Sequence, residues 1–352
     1  MTIEIGSHFE YHEGIMTENL NCTWIPICSD YKLTFSGRSA IELVIQDIKK
    51  HKNIYKVYMP SYCCSSMIEP FLKHNIQVLY YDVFYDKENG LQYNIDTDID
   101  CDIFFAMGYF GIHFFNSDDI IDQFKAKGTI ILEDITHSLL STSPYSTDVN
   151  YFIASIRKWF PVATGGIAGK VRNSFDIEPN IDSNKIVQSK IEAMKDKKRY
   201  LMNENISKQK FLHGFSEFEL RLKNIDWRYK TDDLSLLLMG NMDINQIIKQ
   251  RQENALYLYE HLKDLTQIDF LVKKYDIIVS TPLFFPIMLE SKQRDKLRKY
   301  LIENNIYCPV HWPTENYNHS NISQFELSLV CDQRYTVKDM KYVVYLIKSW
   351  FQ

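Results

Sequence analysis

The run Ile131-Leu132-Glu133-Asp134-Ile135-Thr136-His137-Ser138 reads as an apolar strand that delivers an acid and, three residues on, a histidine. A short spacer later comes Tyr151-Phe152-Ile153-Ala154-Ser155-Ile156-Arg157-Lys158-Trp159-Phe160, a second strand-like run ending in a lysine. Gly165-Gly166-Ile167-Ala168-Gly169 then opens a third.

Working outward, Ser39 to Lys50 has helical spacing, with Ile41, Leu43, Val44, Ile45 and Ile48 apolar and Lys49-Lys50 closing it. Val57-Tyr58-Met59 reads as a short strand stopped by Pro60, Met67 to Lys73 as a helix, and Gln77 to Val83 as a strand. Ile103 to Met107 is a further buried strand, Asp118 to Lys127 a helix and Thr129 to Leu132 a strand. Strands alternating with helices, in apolar runs of four to seven residues, indicate an α/β fold with a large, mostly parallel sheet. Ligands gather at the carboxyl ends of the strands in such sheets. Met59-Pro60-Ser61-Tyr62, Met107-Gly108-Tyr109-Phe110-Gly111, Glu133-Asp134 and Ser155 all fall at those ends.

Asp182 to Gln209 is polar, charged and helical, and reads as an excursion on the surface; its basic cluster Lys195 to Arg199 reads as a solvated face. Asp232 to Leu262 has long helical periodicity and leads into a smaller C-terminal α+β domain. There Tyr275 to Ser280 and Phe284 to Leu289 are expected to pair as strands, covered by helices over Arg294 to Asn304 and Val337 to Trp350. The expected division is 1–235 for the large domain and 236–352 for the small one.

The 352 residues are 45% hydrophobic and 24% charged, the composition of an ordinary globular chain. A formal net charge of −5 gives nucleic-acid binding no electrostatic support. No apolar run approaches the roughly 20 residues of a membrane helix. The amino terminus, Met1-Thr2-Ile3-Glu4, lacks a basic region followed by an apolar stretch and does not read as a signal peptide. Seven cysteines, with no metal-ligand spacing, fit reduced thiols in a cytoplasmic protein.

An acid at one strand end and a lysine just past the next are the two anchors of a pyridoxal phosphate enzyme. The lysine forms a Schiff base with the cofactor aldehyde, and the acid keeps the ring nitrogen protonated so that the ring acts as an electron sink. Each residue also has a plainer reading. Lys158 is one of many surface lysines; Asp134 is a helix N-cap after a strand; His137 is a satisfied core histidine. Ser36-Gly37-Arg38-Ser39-Ala40 opens a helix whose N-terminal amides and dipole suit a phosphate. The backbone of Arg38 and Ser39 carries that expectation, and the Arg38 side chain reads either as a phosphate contact or as a solvent-facing residue. Arg157 either lowers the pKa of Lys158 or holds a substrate carboxylate.

These stretches, with Met59-Pro60-Ser61-Tyr62-Cys63-Cys64 and Tyr109-Phe110-Gly111, resemble the DegT/DnrJ/EryC1/StrS sugar aminotransferases, and within them a branch found among surface-polysaccharide proteins. The likeness is strongest over 36–170. It implies a fold-type I pyridoxal-phosphate-dependent transferase. Lys158, Asp134 and His137 would be catalytic, with His137 where many relatives place a glutamine against the cofactor's phenolic oxygen. Gly37, Arg38, Ser39, Tyr62, Cys64, Ser155 and Arg228 would join them around the cofactor. The aromatic ring that relatives lay over the cofactor falls by direct count on Cys64, which leaves Tyr62, Tyr109 or Phe110 to take its place. The relatives' serine five residues before the lysine is Ile153 here, and Ser155 stands three before it. Asp226-Trp227-Arg228 matches a segment that reaches the partner subunit's phosphate, and His311-Trp312-Pro313 one near the substrate entrance.

The resemblance implies a cytoplasmic homodimer that moves an amino group, with glutamate as the expected donor, to a nucleotide-linked keto-sugar for surface polysaccharide synthesis. Two alternatives stand beside it: a lyase or dehydratase using the same anchors, and a non-catalytic protein of this fold kept for sensing or assembly. The sugar dehydratases of the group carry histidine in place of the lysine, so Lys158 argues against that version.

Overall fold

Asp102 to Met107 begins half-buried and ends in a core where every side chain from Ile103 onward is out of water, and the largest sheet is built around that run. A computed structural model describes residues 4–12, 22–111, 118–141, 143–146, 148–313 and 320–352. In chain order its strands are β1 (Ile5–Gly6), β2 (Asp30–Thr34), β3 (Lys56–Pro60), β4 (Gln77–Asp86), β5 (Gly90–Asn94), β6 (Ile103–Met107), β7 (Ile130–Asp134), β8 (Tyr151–Ser155), β9 (Gly166–Lys170), β10 (Asp269–Phe270), β11 (Phe285–Met288), β12 (Ile306–Tyr307) and β13 (Glu326–Leu329). The main sheet has eight strands in the order β2-β9-β8-β7-β6-β3-β4-β5. Its five central strands, β8, β7, β6, β3 and β4, run parallel, and antiparallel strands close both edges. Parallel strands need crossovers and cover on both faces, which is why β6 is wholly apolar and β3, β7 and β8 are mainly so, whereas β4, next to the edge, carries Gln77 and Asp82.

The covering helices follow from the same periodicities. Helix α1 (Gly37–Lys49) buries Ala40, Ile41, Leu43, Val44, Ile45 and Ile48, the face its spacing predicts. Helices α2 (Ser65–Lys73) and α3 (Asp118–Ala126) sit where expected. Strand β7 extends two residues beyond Leu132, to Asp134, and so carries the acid to the edge of the sheet.

Four expectations need correction. Asp182 to Gln209 is no surface excursion. Helices α4 (Gln188–Leu201) and α5 (Lys208–Leu222) form a hairpin with its own core, in which Ile191, Met194, Phe211, Phe215 and Phe218 pack on Phe35. Phenylalanines of α5 supply most of this core, so α4 reads as polar although one face of it is covered. Lys197, in the supposed solvated cluster, is buried and paired with Glu4 at 3.4 Å. The Asp232–Leu262 periodicity is two helices, α6 (Asp233–Gly240) and α7 (Ile244–Leu262), because Asp243 caps a new helix by accepting from the Gln246 amide. Tyr275 to Ser280 is not a strand but part of helix α8 (Lys274–Val279), where only Ile277 is buried.

Strand β11 therefore pairs with β10 and β13 in a three-stranded antiparallel sheet. Helices α9 (Ser291–Glu303), α10 (Ile322–Phe325) and α11 (Val337–Phe351) complete the C-terminal part, and β1 joins it by parallel pairing with β12. None of the seven cysteines forms a disulfide. Among the described residues no helix is long and apolar enough to cross a membrane, and no cluster of His, Cys, Asp and Glu could hold a metal ion.

Candidate active site

Register brings the first site residues together. Met107 pairs with Asp134, and Asp134 with Ile153, on adjacent parallel strands. All three line one cavity of about 330 Å³ at the carboxyl edge of the sheet. Asp134 Oδ1 accepts the Thr136 amide at 2.8 Å, so the carboxylate caps its own turn rather than a helix. Burial pushes the Asp134 pKa up, while the Thr136 bonds and the Lys158 cation act against that rise.

Thr136 fastens the β7 turn to the end of β8. Its hydroxyl oxygen accepts the Ser155 amide at 2.9 Å and its carbonyl accepts Trp159 Nε1 at 2.7 Å. The sequence reading assigned Thr136 no role; hydroxyl residues after a strand end are common, and only the register shows where this one reaches. Beyond Ser155 a single 3-10 turn, Ile156–Lys158, lifts the lysine out of the sheet. Ile156 and Trp159 are buried anchors on either side of it. The amine of Lys158 makes no hydrogen bond or ion pair with any described residue and stands 6.0 Å from the centre of the Trp312 ring.

His137 is fully buried. Its Nδ1 accepts the Phe110 amide at 2.9 Å, which puts the proton of the neutral ring on Nε2. Burial, with Lys158 and His311 nearby, holds its pKa well below the usual value, so the ring stays neutral. Nε2 has no partner, which leaves a buried donor unsatisfied. The Phe110 amide reaches Nδ1 because Phe110 adopts a left-handed backbone, φ 62°, that a bulky residue rarely takes.

The amino end of α1 forms the opposite wall. Ser36 caps it by accepting the Ser39 amide at 3.2 Å, and the first intrahelical bond runs from Ala40 to the Ser36 carbonyl. Ser39 is thus committed to the cap, and the amides of Gly37 and Arg38 precede the first helical bond. A Cβ on Gly37 would lie 3.1 Å from the Ser155 Cβ, so glycine sets how closely helix and strand approach. Gly166 holds the same junction from the other side, where a side chain would meet the Ser36 carbonyl at 2.2 Å. Arg38 lines the cavity, with its guanidinium bonded to Glu69 at 2.7 Å and to the Leu222 carbonyl at 3.3 Å.

Cys64 lines the cavity; Tyr62 lies behind it. The Tyr62 ring is buried against Tyr109 and edge-on to Trp312, at 5.2 and 4.7 Å between centroids. The ring that faces the cavity is Trp312 itself, within 22° of parallel to His137 and 6.0 Å from it. Trp312 was legible only as part of the His311-Trp312-Pro313 segment. Arg228 is outside the cavity. It forms a two-toothed ion pair with Asp226 (3.1 and 2.8 Å) and is 52% exposed. A second cavity of about 590 Å³ shares Ser155, Arg157, Lys158 and Glu219 with the first and extends toward β12 and β13.

No protein-family model and no curated protein matches the chain. Solved structures do match. Helicobacter pylori PseC, an aminotransferase involved in the biosynthesis of pseudoaminic acid, is 12% identical with a TM-score of 0.67, over 99% of each chain. DesI, solved with its TDP-sugar product, is 13% identical (TM-score 0.62; 91% of this chain, 80% of that one). A DegT DnrJ EryC1 StrS aminotransferase from Brucella abortus is 13% identical (TM-score 0.61; 92% and 86%). The chain has the fold-type I architecture of these aminotransferases.

Proposed function

We propose that the chain is a pyridoxal-phosphate-dependent aminotransferase that transfers an amino group, with glutamate as donor, to a nucleotide-linked keto-sugar. The observation that carries this reading is the Lys158 amine, without a hydrogen-bond or ion-pair partner among the described residues, lining a cavity whose walls hold Asp134 and the amino end of α1. The residues present fit the cofactor. An unsatisfied buried donor on His137 awaits an acceptor, such as a phenolic oxygen. The Gly37–Ser155 junction and the α1 amides suit a phosphate. Asp134 is a buried carboxylate whose desolvation a cationic ring nitrogen offsets.

Pyridoxal phosphate supplies an electron sink for the substrate Cα when bound. Lys158 would hold the aldehyde carbon of the cofactor and, as the free amine, would carry a proton at the substrate Cα. Asp134 would hold the proton on the ring nitrogen. His137, neutral and fixed through Phe110, would donate to the cofactor from Nε2, with Trp312 as the aromatic wall beside it. The sugar acceptor rests on the printed descriptions of PseC and DesI and on the aromatic walls, which suit a ring-bearing ligand. In this reading the product serves surface polysaccharide synthesis in the cytoplasm. The protein is a homodimer, with the exposed Asp226–Arg228 pair serving the partner's site.

Borohydride reduction of the yellow purified protein, followed by peptide mapping, should place the cofactor on Lys158, and Lys158→Ala should be colourless yet folded. A label on another lysine would sink the assignment. For the acceptor, the aminated cofactor form is mixed with each substrate class. Return of the original spectrum with simple ketoacids and with no nucleotide-linked keto-sugar would overturn the sugar alone.

A further inference from the structure

The larger cavity beside Lys158 carries a charge balance opposite to that of the whole chain. The protein has a net charge of −5, yet six lysine and arginine side chains line this cavity against two carboxylates, Glu219 and Asp332. Asp332 is committed to Arg334 through two bonds, at 2.9 and 2.7 Å. Glu219 is the one acid left, and two cations share it: Arg157 Nη1 bonds it at 3.0 Å and Lys190 approaches only to 3.7 Å.

Both cations are under-satisfied for their burial. Arg157 Nε is buried with no partner. Lys190 is 5% exposed, makes no hydrogen bond with a described residue, and rests on the face of Phe215 at 4.4 Å. Burial and the neighbouring Arg157 pull its pKa down to about 8. A buried cation held by a shared carboxylate and an aromatic face is costly without a further anion. Arg157 lines both cavities, as do Ser155, two positions before it, and Lys158, so it belongs to the wall they share.

We infer that the larger cavity is a dianion subsite of the same active site, with Arg157 and Lys190 as its primary binding groups. The inference rests on the reading of Lys158 given above. Two parts of the proposed substrates present such chemistry: the two carboxylates of a dicarboxylic amino donor, and the diphosphate of a nucleotide-linked acceptor. Arg157 and Lys190 would position either one beside Lys158 without taking part in bond making.

The test is calorimetric titration of the cofactor-loaded protein with glutarate and, separately, with inorganic pyrophosphate. Wild type should bind at least one probe, and the probe that binds identifies the source. Lys190→Met and Arg157→Gln should each weaken that binding about tenfold or more, as loss of a charge-assisted bond requires. Lys190→Arg keeps the charge and should bind as wild type, which separates binding from folding. If neither probe binds wild type, or if Lys190→Met and Arg157→Gln bind as well as wild type, the subsite is overturned. The borohydride label is read in the same preparations. Its absence from Lys158 would overturn the cofactor reading and leave the titrations interpretable.

Discussion

Glu133 and Asp134 are consecutive acids on one strand, and alternation sends them to opposite faces of the sheet. Asp134 faces the cavity. Glu133 accepts the Ser146 amide at 2.8 Å on the other side, and burial pushes its pKa up to about 7. Its ordinary value is 4.5, so between the two the folded chain holds a proton that the unfolded chain releases. Stability from this group therefore falls as pH rises from about 4.5 to 7. Glu133→Gln should be more stable than wild type at about pH 8, by up to about 3 kcal/mol, and nearly equal to it at about pH 4.5. Denaturant midpoints at the two pH values check this, and a gap that does not widen with pH would count against it. Asp134→Asn should keep the cofactor but lower the rate by at least about a hundredfold, near 3 kcal/mol, as for removal of a principal electrostatic stabiliser. Near-normal rates of the amino-donor half-reaction would reduce Asp134 to a turn cap.

At the scale of elements, the sequence was readable where one element carries its own signal. The runs Ile103–Met107 and Tyr151–Ser155 are apolar without interruption, and α1 alternates with a 3.6-residue period, so both types were visible locally. Helix α8 was not. Ile277-Ile278-Val279 is β-branched and favours a strand, but Asp276 caps the turn by accepting the Lys273 amide at 2.7 Å, and only Ile277 meets the core. Trp312 was hidden for a different reason. It lies more than 150 residues beyond Lys158, and no local pattern brings it to the cavity. The junction of α1 with β8 yields a prediction at this scale. Gly37→Ala improves helix propensity, so thermal stability of the cofactor-free protein should hold or rise slightly. The added Cβ pushes on Ser155, and cofactor affinity should fall about tenfold if that junction cradles the phosphate. Equilibrium dialysis of cofactor decides it, with unchanged affinity placing the phosphate elsewhere.

For the whole molecule, the fate of Arg228 separates a site complete within one chain from a shared one. Within its own chain Arg228 is outside the cavity, neutralised by Asp226, whose pKa the pair holds low. An arginine clamped on a surface carboxylate is pre-oriented, and a dimer would give it something to reach. If the proposed homodimer forms, its Lys158→Ala and Arg228→Ala variants should each be impaired in the amino-donor half-reaction. Mixing the two after reversible dissociation creates hybrids. If Arg228 serves the partner's cofactor, one site of each hybrid carries both defects and the other carries neither. Half of the dimers would then own one intact site, and activity should return to about a quarter of wild type. If Arg228 instead acts within its own chain, every hybrid site has one defect and mixing restores nothing. A null result with fully exchanged subunits would therefore show that Arg228 does not serve the partner's site.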